Sequence, residues 1–443
     1  MGLFFGTDGL RGIFGETLTP EIAYRCGYSL SLLKPRAKVV LGRDTRKSGA
    51  LLTLAFSLGF LSGGGTVEDV GVCPTAGISY LTTSLGFDFG VVISASHNAS
   101  EFNGIKIFGG DGLKLGDLKE YEVEKNLLKN VEKLKNNIGE YLNKSEYLKN
   151  YEQFLIDNGC DLSGLKIVLD CANGAAFKIS ERVFNALGAE VNILANIPNG
   201  ENINDNCGAL FIDNLVNEVK RKNADIGFAF DGDSDRVLAV DENGNIVDGD
   251  KIIYLFAKEY NDKGKLEKKL VVGTQMTNMG IEIALKNIGI DLVRTDVGDK
   301  YVSEALIKHG ALIGGEQCGH VFVKDKLCTG DGILNAILIA QICKKGNKKI
   351  SEFFNFKMYN QKTINVKVKN KIYILNCKNL KNKIEIIQSK LKNNGRILVR
   401  ASGTESLIRI MVESQDEKEA IGFAEELKIL VEEIDRGEVK CVE

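Results

Sequence analysis

Tryptophan is absent, proline occurs four times and histidine only three times in 443 residues. With His97, His309 and His320 alone available, a mechanism or metal centre needing several imidazoles is hard to build. No stretch approaches the ~20 apolar residues of a membrane-spanning helix. The longest candidate, Ile333 to Cys343, is short and interrupted by Asn335 and Gln341. The first residues lack the charged segment, apolar core and cleavage site of a secretory signal, so a cytoplasmic location is expected. Neither sign of charge is in excess: Lys+Arg 57 against Asp+Glu 59 leaves a net charge of -2. That balance offers no global attraction to nucleic acid or to an acidic membrane surface. The ten cysteines are scattered, with no C-x-x-C pair and no zinc-type spacing, which predicts reduced, mostly buried thiols. Also missing are a Walker A loop, a G-x-G-x-x-G turn and a G-x-S-x-G elbow. P-loop kinases, Rossmann dehydrogenases and common serine hydrolases thereby lose most of their support.

What is present is a repeating unit: a short apolar run, a Gly or Asp turn, then a segment of helical spacing. Strands are predicted at Lys38–Leu41, Gly90–Ile93, Lys166–Leu169, Ile226–Phe230 and Leu270–Val272. Helices are predicted at Glu21–Leu33, from about Ser48, and at Ala176–Leu187, Asn214–Lys222, Lys251–Glu259, Met279–Asn287 and Tyr301–His309. Such alternation implies largely parallel sheets covered by helices, with ligands bound at the carboxyl ends of strands. Three rounds fit before residue 364, the first ending in the Lys/Asn-rich stretch Leu118 to Asn150. A second Lys/Asn-rich stretch, Lys344 to Lys371, precedes a smaller unit with one strand-like run, Leu407–Val412, and a closing helix, Lys418–Ile434. A chain this long exceeds what one core serves, and four units are expected.

The strongest chemical signal is Asp231-Gly232-Asp233-Ser234-Asp235-Arg236, directly after the apolar run Ile226–Phe230. Three carboxylates at alternate positions repel one another, and packing them at a strand mouth is costly without a cation. Hard oxygen ligands suit Mg²⁺. An EF-hand is excluded because Arg236 occupies the position that needs Gly and Val237–Val240 continues as a strand; an acidic surface turn is the bland alternative. Next comes Ser94-Ala95-Ser96-His97-Asn98, where Ser96 at a strand end suits a nucleophile or a phosphate carrier. A simple Ser/Asn turn and a Ser-His-Asp triad both stay open, and adjacency in sequence does not make Ser96 and His97 face each other. Third, Arg400-Ala401-Ser402-Gly403-Thr404-Glu405, with Arg409 beyond, offers guanidinium, hydroxyl and flexible backbone donors to a phosphate. Its alternative is a Ser402-to-Glu405 capping box, against which Leu407–Val412 reads as strand. Fourth, Gly314-Gly315-Glu316-Gln317-Cys318-Gly319-His320 presents a carboxylate that suits sugar hydroxyls, in a loop where such residues are otherwise often solvated or structural. Thr7-Asp8-Gly9-Leu10-Arg11-Gly12, Gly42-Arg43-Asp44-Thr45-Arg46 and Asn103-Gly104-Ile105-Lys106 each put a cation near a tight turn.

Taken together and in this order, over the whole chain, these motifs resemble the α-D-phosphohexomutase superfamily. Phe5-Gly6-Thr7-Asp8-Gly9, the run Ile93 to Asn98 and Gly315-Glu316-Gln317 favour its hexosamine-phosphate branch over the mannose and glucose branches. The resemblance implies three similar mixed- or parallel-sheet α/β domains (1–152, 153–250 and 251–364) and a smaller α+β domain (365–443) around a central cleft. It implies that Ser96 carries a phosphoryl group and, with Asp231, Asp233 and Asp235, holds one Mg²⁺ per chain. Arg11 and Lys106 fall on cations near the transferred phosphoryl, and Arg236 beside the metal. Glu316 and Cys318 fall on the sugar-recognition loop, and His320 follows as a candidate proton carrier, with Lys106 and solvent as the alternatives. Arg400, Ser402, Gly403, Thr404 and Arg409 fall on the loop that grips the other phosphate. The implied reaction isomerises a hexosamine phosphate through a 1,6-bisphosphate, which is both intermediate and activator. The expected partner is a small sugar phosphate, with neither nucleic acid nor membrane, in a monomer or homodimer. Another phosphohexomutase, a non-catalytic sugar-phosphate sensor and a metal-dependent phosphatase are the rival functions. Four positions depart from the usual pattern: Cys318 replaces serine, Ala99 and Ser406 replace proline, and Lys300 replaces arginine. A thiol is the weaker donor and an ammonium lacks the bidentate fork.

Overall fold

The computed structural model describes residues 5, 6, 8–127, 138–402, 405–439 and 441. It divides into one compact unit of Met1–Thr274 with Val293–Phe354, and a second of Gln275–Leu292 with Asn355–Glu443.

The first unit is built on mixed sheets. A seven-stranded sheet runs in the order Phe5–Gly6, Gly9–Ile13, Phe102–Gly109, Phe89–Ile93, Lys38–Arg43, Thr66–Val72 and Tyr141–Asn143. Lys38–Arg43 lies parallel to both Phe89–Ile93 and Thr66–Val72, whereas Phe102–Gly109 runs antiparallel to Phe89–Ile93 and Gly9–Ile13. The buried apolar residues of these strands read as continuous runs because helices cover them, and Val39, Leu41, Val91 and Ile93 share a core with Phe56 and Phe60 of helix Gly49–Ser62. Helix Pro20–Ser31 starts where Thr19 Oγ1 accepts the Ile22 N–H and proline takes the first turn. A five-stranded sheet follows in the order Ile246–Val247, Val237–Asp241, Ile226–Phe230, Lys166–Asp170 and Glu190–Leu194. In a third sheet Leu270–Thr274 lies parallel to Ile313–Gly315, which pairs antiparallel with Val321–Val323. Helix Gly332–Gly346 begins at Asp331, whose Oδ1 accepts the N–H groups of Ile333 and Leu334, both at 3.0 Å.

The second unit carries a three-stranded antiparallel sheet, Asn360–Lys367, Leu407–Ser414 and Gly395–Ala401, with the middle range at its centre. Ile408, Ile410 and Val412 pack on Leu380 and Ile387 of helix Lys378–Leu391 and on Leu427 and Val431 of helix Glu417–Arg436. The sequence predicts one strand here, and the two flanking ones are the correction. In Asn360–Lys367 the apolar Ile364 and Val366 alternate with polar residues, and in Gly395–Ala401 the short run Ile397-Leu398-Val399 is bracketed by Arg396 and Arg400, so neither shows a long apolar signal. The expectation that all cysteines are reduced is corrected too: Cys377 and Cys441, 64 positions apart, form a disulfide. The other cysteines are free.

Candidate active site

Two strand ends in the first unit bring Ser96 and the acidic loop together. Phe89–Ile93 delivers Ser94-Ala95-Ser96, and Ile226–Phe230 delivers Asp231 to Asp235. Ser96 is fully buried in the left-handed region, φ 52°, and its Oγ donates to Asp231 Oδ2 over 2.6 Å. Gly232 is required for that approach, because a Cβ there would sit 2.6 Å from the Ser96 carbonyl oxygen. His97 faces its neighbour, with Nδ1 3.3 Å from Ser96 Oγ, a contact that adjacency in sequence leaves open. Burial, then the charges of Arg236 and Arg11, depress this imidazole to about 3, so it is neutral at pH 7.

The three carboxylates form a buried cluster whose ligand oxygens all lie within 4.8 Å of one another. Asp233 Oδ2 accepts from Lys106 Nζ at 2.7 Å and Thr75 Oγ1 at 2.6 Å, and Asp235 Oδ2 accepts from Lys106 at 3.0 Å. Their other oxygens, Asp233 Oδ1 and Asp235 Oδ1, are buried without a hydrogen bond. Burial, reinforced by the charges of Asp235 and Asp233, pushes Asp231 up to about 8. Orphaned hard oxygens and a carboxylate that resists ionising are what a cluster designed around a divalent cation leaves behind. These residues fit a metal site.

Cations surround it. Lys106, on Phe102–Gly109 opposite Val92, is 1% exposed and also lies 3.2 Å from Asp8 Oδ2. Burial opposes its charge, but Asp233, Asp235 and Asp8 outweigh that and hold it well above the ordinary lysine range. Arg11 pairs with Asp8 and reaches Asn98 Oδ1 at 3.4 Å. Arg236 Nε lies 4.0 Å from Asp231 Oδ2 and 3.8 Å from Asp235 Oδ1. His320 is buried with Nδ1 3.6 Å from Asp235 Oδ1 and Nε2 3.8 Å from Asp299 Oδ2. In the same loop Glu316 is buried and accepts the Gly298 N–H at 2.9 Å, while Cys318 is exposed. Sequence reasoning missed Thr75, Lys114 and Asp299. Lys114 pairs with both Asp8 and Asp299, a junction that joins positions far apart in the chain and leaves no local pattern. Lys300 pairs with Asp117 and with Glu120 at 3.3 Å, a task for a point charge that needs no guanidinium.

In the second unit, Arg400 and Arg409 stand directly opposite each other in the antiparallel ladder. Arg409 Nη2 also lies 3.5 Å from Glu405 Oε2, so a carboxylate already stands beside this pair. Ser402 Oγ accepts the Glu405 N–H at 3.3 Å, half of the capping box weighed above, yet strand rather than helix follows. Lys371, unremarked in the sequence, donates to the carbonyls of Ser402 (2.7 Å) and Glu405 (2.9 Å). Gly403 and Thr404 lie outside the described residues.

Models of the four phosphoglucomutase/phosphomannomutase domains match the chain: alpha/beta/alpha domain I at residues 2–134, domain II at 145–244, domain III at 248–359 and the C-terminal domain at 364–430. The chain belongs to the phosphoglucomutase/phosphomannomutase family. Within the family it is 43% identical to a phosphoglucosamine mutase of Caldicellulosiruptor bescii, over 98% of this chain and 99% of that one. A phosphoglucosamine mutase of Lactobacillus johnsonii is 45% identical, over 97% and 98%. The fold matches a crystal structure of a phosphoglucomutase/phosphomannomutase family protein from Burkholderia thailandensis, with a TM-score of 0.82 and 21% identity over 98% of each chain. It also matches Aspergillus fumigatus N-acetylphosphoglucosamine mutase in complex with GlcNAc-6P and magnesium, with a TM-score of 0.68 and 17% identity over 98% of this chain and 96% of that one. Membership accounts for the four-part organisation and for the smaller C-terminal domain. Among the described residues no helix is long and apolar enough to cross a membrane.

Proposed function

We propose that the protein interconverts glucosamine 6-phosphate and glucosamine 1-phosphate, supplying the 1-phosphate for UDP-N-acetylglucosamine and cell-wall precursors. The observation that carries this reading is the Ser96 hydroxyl donating over 2.6 Å into a buried carboxylate cluster with orphaned oxygens. The identity of 43–45% with phosphoglucosamine mutases supports the hexosamine as substrate.

Phosphorylated Ser96 donates its phosphoryl group to the free sugar hydroxyl. The P–Oγ bond breaks, a P–O bond to the sugar forms, and the hydroxyl proton passes to His320. The resulting 1,6-bisphosphate turns over and returns its other phosphoryl to Ser96 Oγ, and the proton goes back to the released sugar hydroxyl. The same bisphosphate loads an unphosphorylated Ser96. Asp231, Asp233, Asp235 and a Ser96-borne oxygen would hold Mg²⁺, whose charge, when bound, offsets that of the transferring phosphoryl. Arg11 and Lys106 add fixed positive charge at that point, and the burial of Ser96 keeps water from the phosphoserine. Glu316 and Cys318 orient the sugar. Arg400, Ser402, Gly403, Thr404 and Arg409 hold the phosphate that is not being transferred.

The test is a substrate panel with purified protein phosphorylated on Ser96. The expected result is the highest kcat/KM on glucosamine phosphates, loss of activity on chelation with recovery on adding Mg²⁺, and an inactive but folded Ser96→Ala. A higher kcat/KM on mannose or glucose phosphates would reassign the substrate. Release of free phosphate in place of an isomer would make the protein a phosphatase.

A further inference from the structure

The peptide unit of Ser96 is enclosed by side chains that the reaction above leaves unused. Arg46 and Asp44 form an ion pair with both side chains fully buried, Nε to Oδ2 at 2.9 Å. Asp44 Oδ2 also accepts from Ser94 Oγ at 2.6 Å, and Ser94 Oγ accepts the Ser96 N–H at 2.9 Å. From the other side, Arg46 Nη2 donates to the Ser96 carbonyl at 2.9 Å. The N–H and C=O of one residue are thus closed into a single ring through Ser94, Asp44 and Arg46.

A second clamp comes from the loop that follows Glu190–Leu194 of the five-stranded sheet. Asn204 Nδ2 donates to the carbonyls of Ser96 (2.9 Å) and Asn98 (3.0 Å), the same two oxygens that Arg46 Nη2 holds at 2.9 and 2.8 Å. Arg46 Nη1 takes the carbonyls of Ala99 and Phe102, and the backbone N–H of Arg46 goes to Asp44 Oδ1, so no guanidinium donor faces a ligand. Arg46 also binds the Ala99 carbonyl, at the point where the family's usual proline is missing. Asn204 is fixed in turn: its N–H donates to the Ala172 carbonyl at 2.9 Å, and Asp170 accepts from Ala172 N and Gly208 N, both at 2.9 Å.

We propose that Arg46 and Asn204 are positioning residues that aim the Ser96 hydroxyl at the acidic loop. The inference rests on Ser96 being the phosphoryl carrier. A non-glycine residue at φ 52° is strained and persists only where its surroundings over-determine it. The clamps supply that constraint. Because Asn204 and Asp231 stand in loops at the strand ends of the same sheet, Asn204 sets the serine against the carboxylates rather than merely stiffening a turn. A reacting group misplaced by about 1 Å loses about 10²-fold in rate.

The informative variants are Asn204→Asp and Asn204→Gly, since both residues tolerate the φ of 58° at this position. Asp puts an acceptor where the Ser96 carbonyl needs a donor, and Gly removes the side chain. Ser94→Ala opens the ring at the Ser96 N–H. The readout is the single-turnover rate of transfer from phosphorylated Ser96, per phosphorylated and folded molecule, well below Tm. All three should fall about 10²-fold with KM nearly unchanged. A purely structural role would lower Tm and leave that rate alone, which overturns the proposal. Slowing in Asn204→Asp alone also overturns it, since carboxylate repulsion then suffices. Ser96→Ala runs in parallel. If it turns over, the carrier reading fails; if it is dead while the Asn204 and Ser94 variants match wild type, only the clamp fails.

Discussion

Lys106 Nζ lies 2.7 Å from Asp233 Oδ2 with both side chains sealed from water. Removing one member of such a pair strands the other, at about 3–5 kcal/mol. Lys106→Met keeps the volume and deletes the charge, leaving the three-carboxylate loop with more negative charge to balance. The variant is expected to unfold at lower denaturant than wild type without divalent metal. It should also gain more stability than wild type from added Mg²⁺, because binding to the folded state alone stabilises it. Equal denaturant midpoints without metal would contradict the electrostatic role given to this lysine.

Asp331 supplies a pH test away from the chemistry. It is 1% exposed, caps helix Gly332–Gly346 and accepts from Tyr151 Oη at 2.8 Å. Burial raises its carboxyl from the ordinary 3.8 to about 6. The folded state therefore binds this proton more tightly than the unfolded chain. The associated stability is complete below 3.8 and is lost as pH rises through about 6, a swing on the order of 3 kcal/mol. Asn at this position keeps the cap acceptor without titrating. Asp331→Asn should flatten unfolding free energy against pH between 4 and 6 relative to wild type, and parallel curves would refute the assignment.

The legible parts of this fold were those where one physical signal dominated. Ile226–Phe230 and Met279–Asn287 match the structure to the residue, the first read as an apolar run stopped by acids, the second from helical spacing alone. Asn103-Gly104-Ile105-Lys106 reads from the sequence as a cation near a tight turn, whereas it lies within Phe102–Gly109. It is a strand buried along nearly its whole length, and Lys106 is tolerated there because acids 127 and 129 positions away receive it. Those partners cannot be seen locally. Asn360–Lys367 was hidden by its lysines and asparagines, since an edge strand with one buried face has little apolar content to show. Ser96 and the acidic loop stand in local motifs that the sequence shows, whereas Lys114, Thr75, Asn204 and Lys371 stand singly and meet partners supplied only by folding.

Arg409, opposite Arg400 in the ladder, separates binding from stability. Arg409→Ala removes an exposed ion pair with Glu405, worth about 0–1 kcal/mol, and so Tm should change little. The same change should raise KM for the sugar phosphate about tenfold or more, the worth of a charge-assisted phosphate contact, with kcat less affected. An unchanged KM would remove Arg409 from the phosphate-holding group.

Lys114 joins two carboxylates from distant parts of the chain, Asp8 beside Arg11 and Lys106, and Asp299 beside His320. If the lysine transmits position between them, Asp8→Asn and Asp299→Asn should not be independent. Residues sharing a partner typically couple by about 0.5–3 kcal/mol, while distant ones add. The double-mutant cycle, measured on kcat/KM, should show coupling in that range with Lys114 present. In a Lys114→Met background the same two substitutions should become additive, because the shared partner is gone. Coupling that survives Lys114→Met would route the communication elsewhere, most directly through Lys106, which also contacts Asp8 at 3.2 Å.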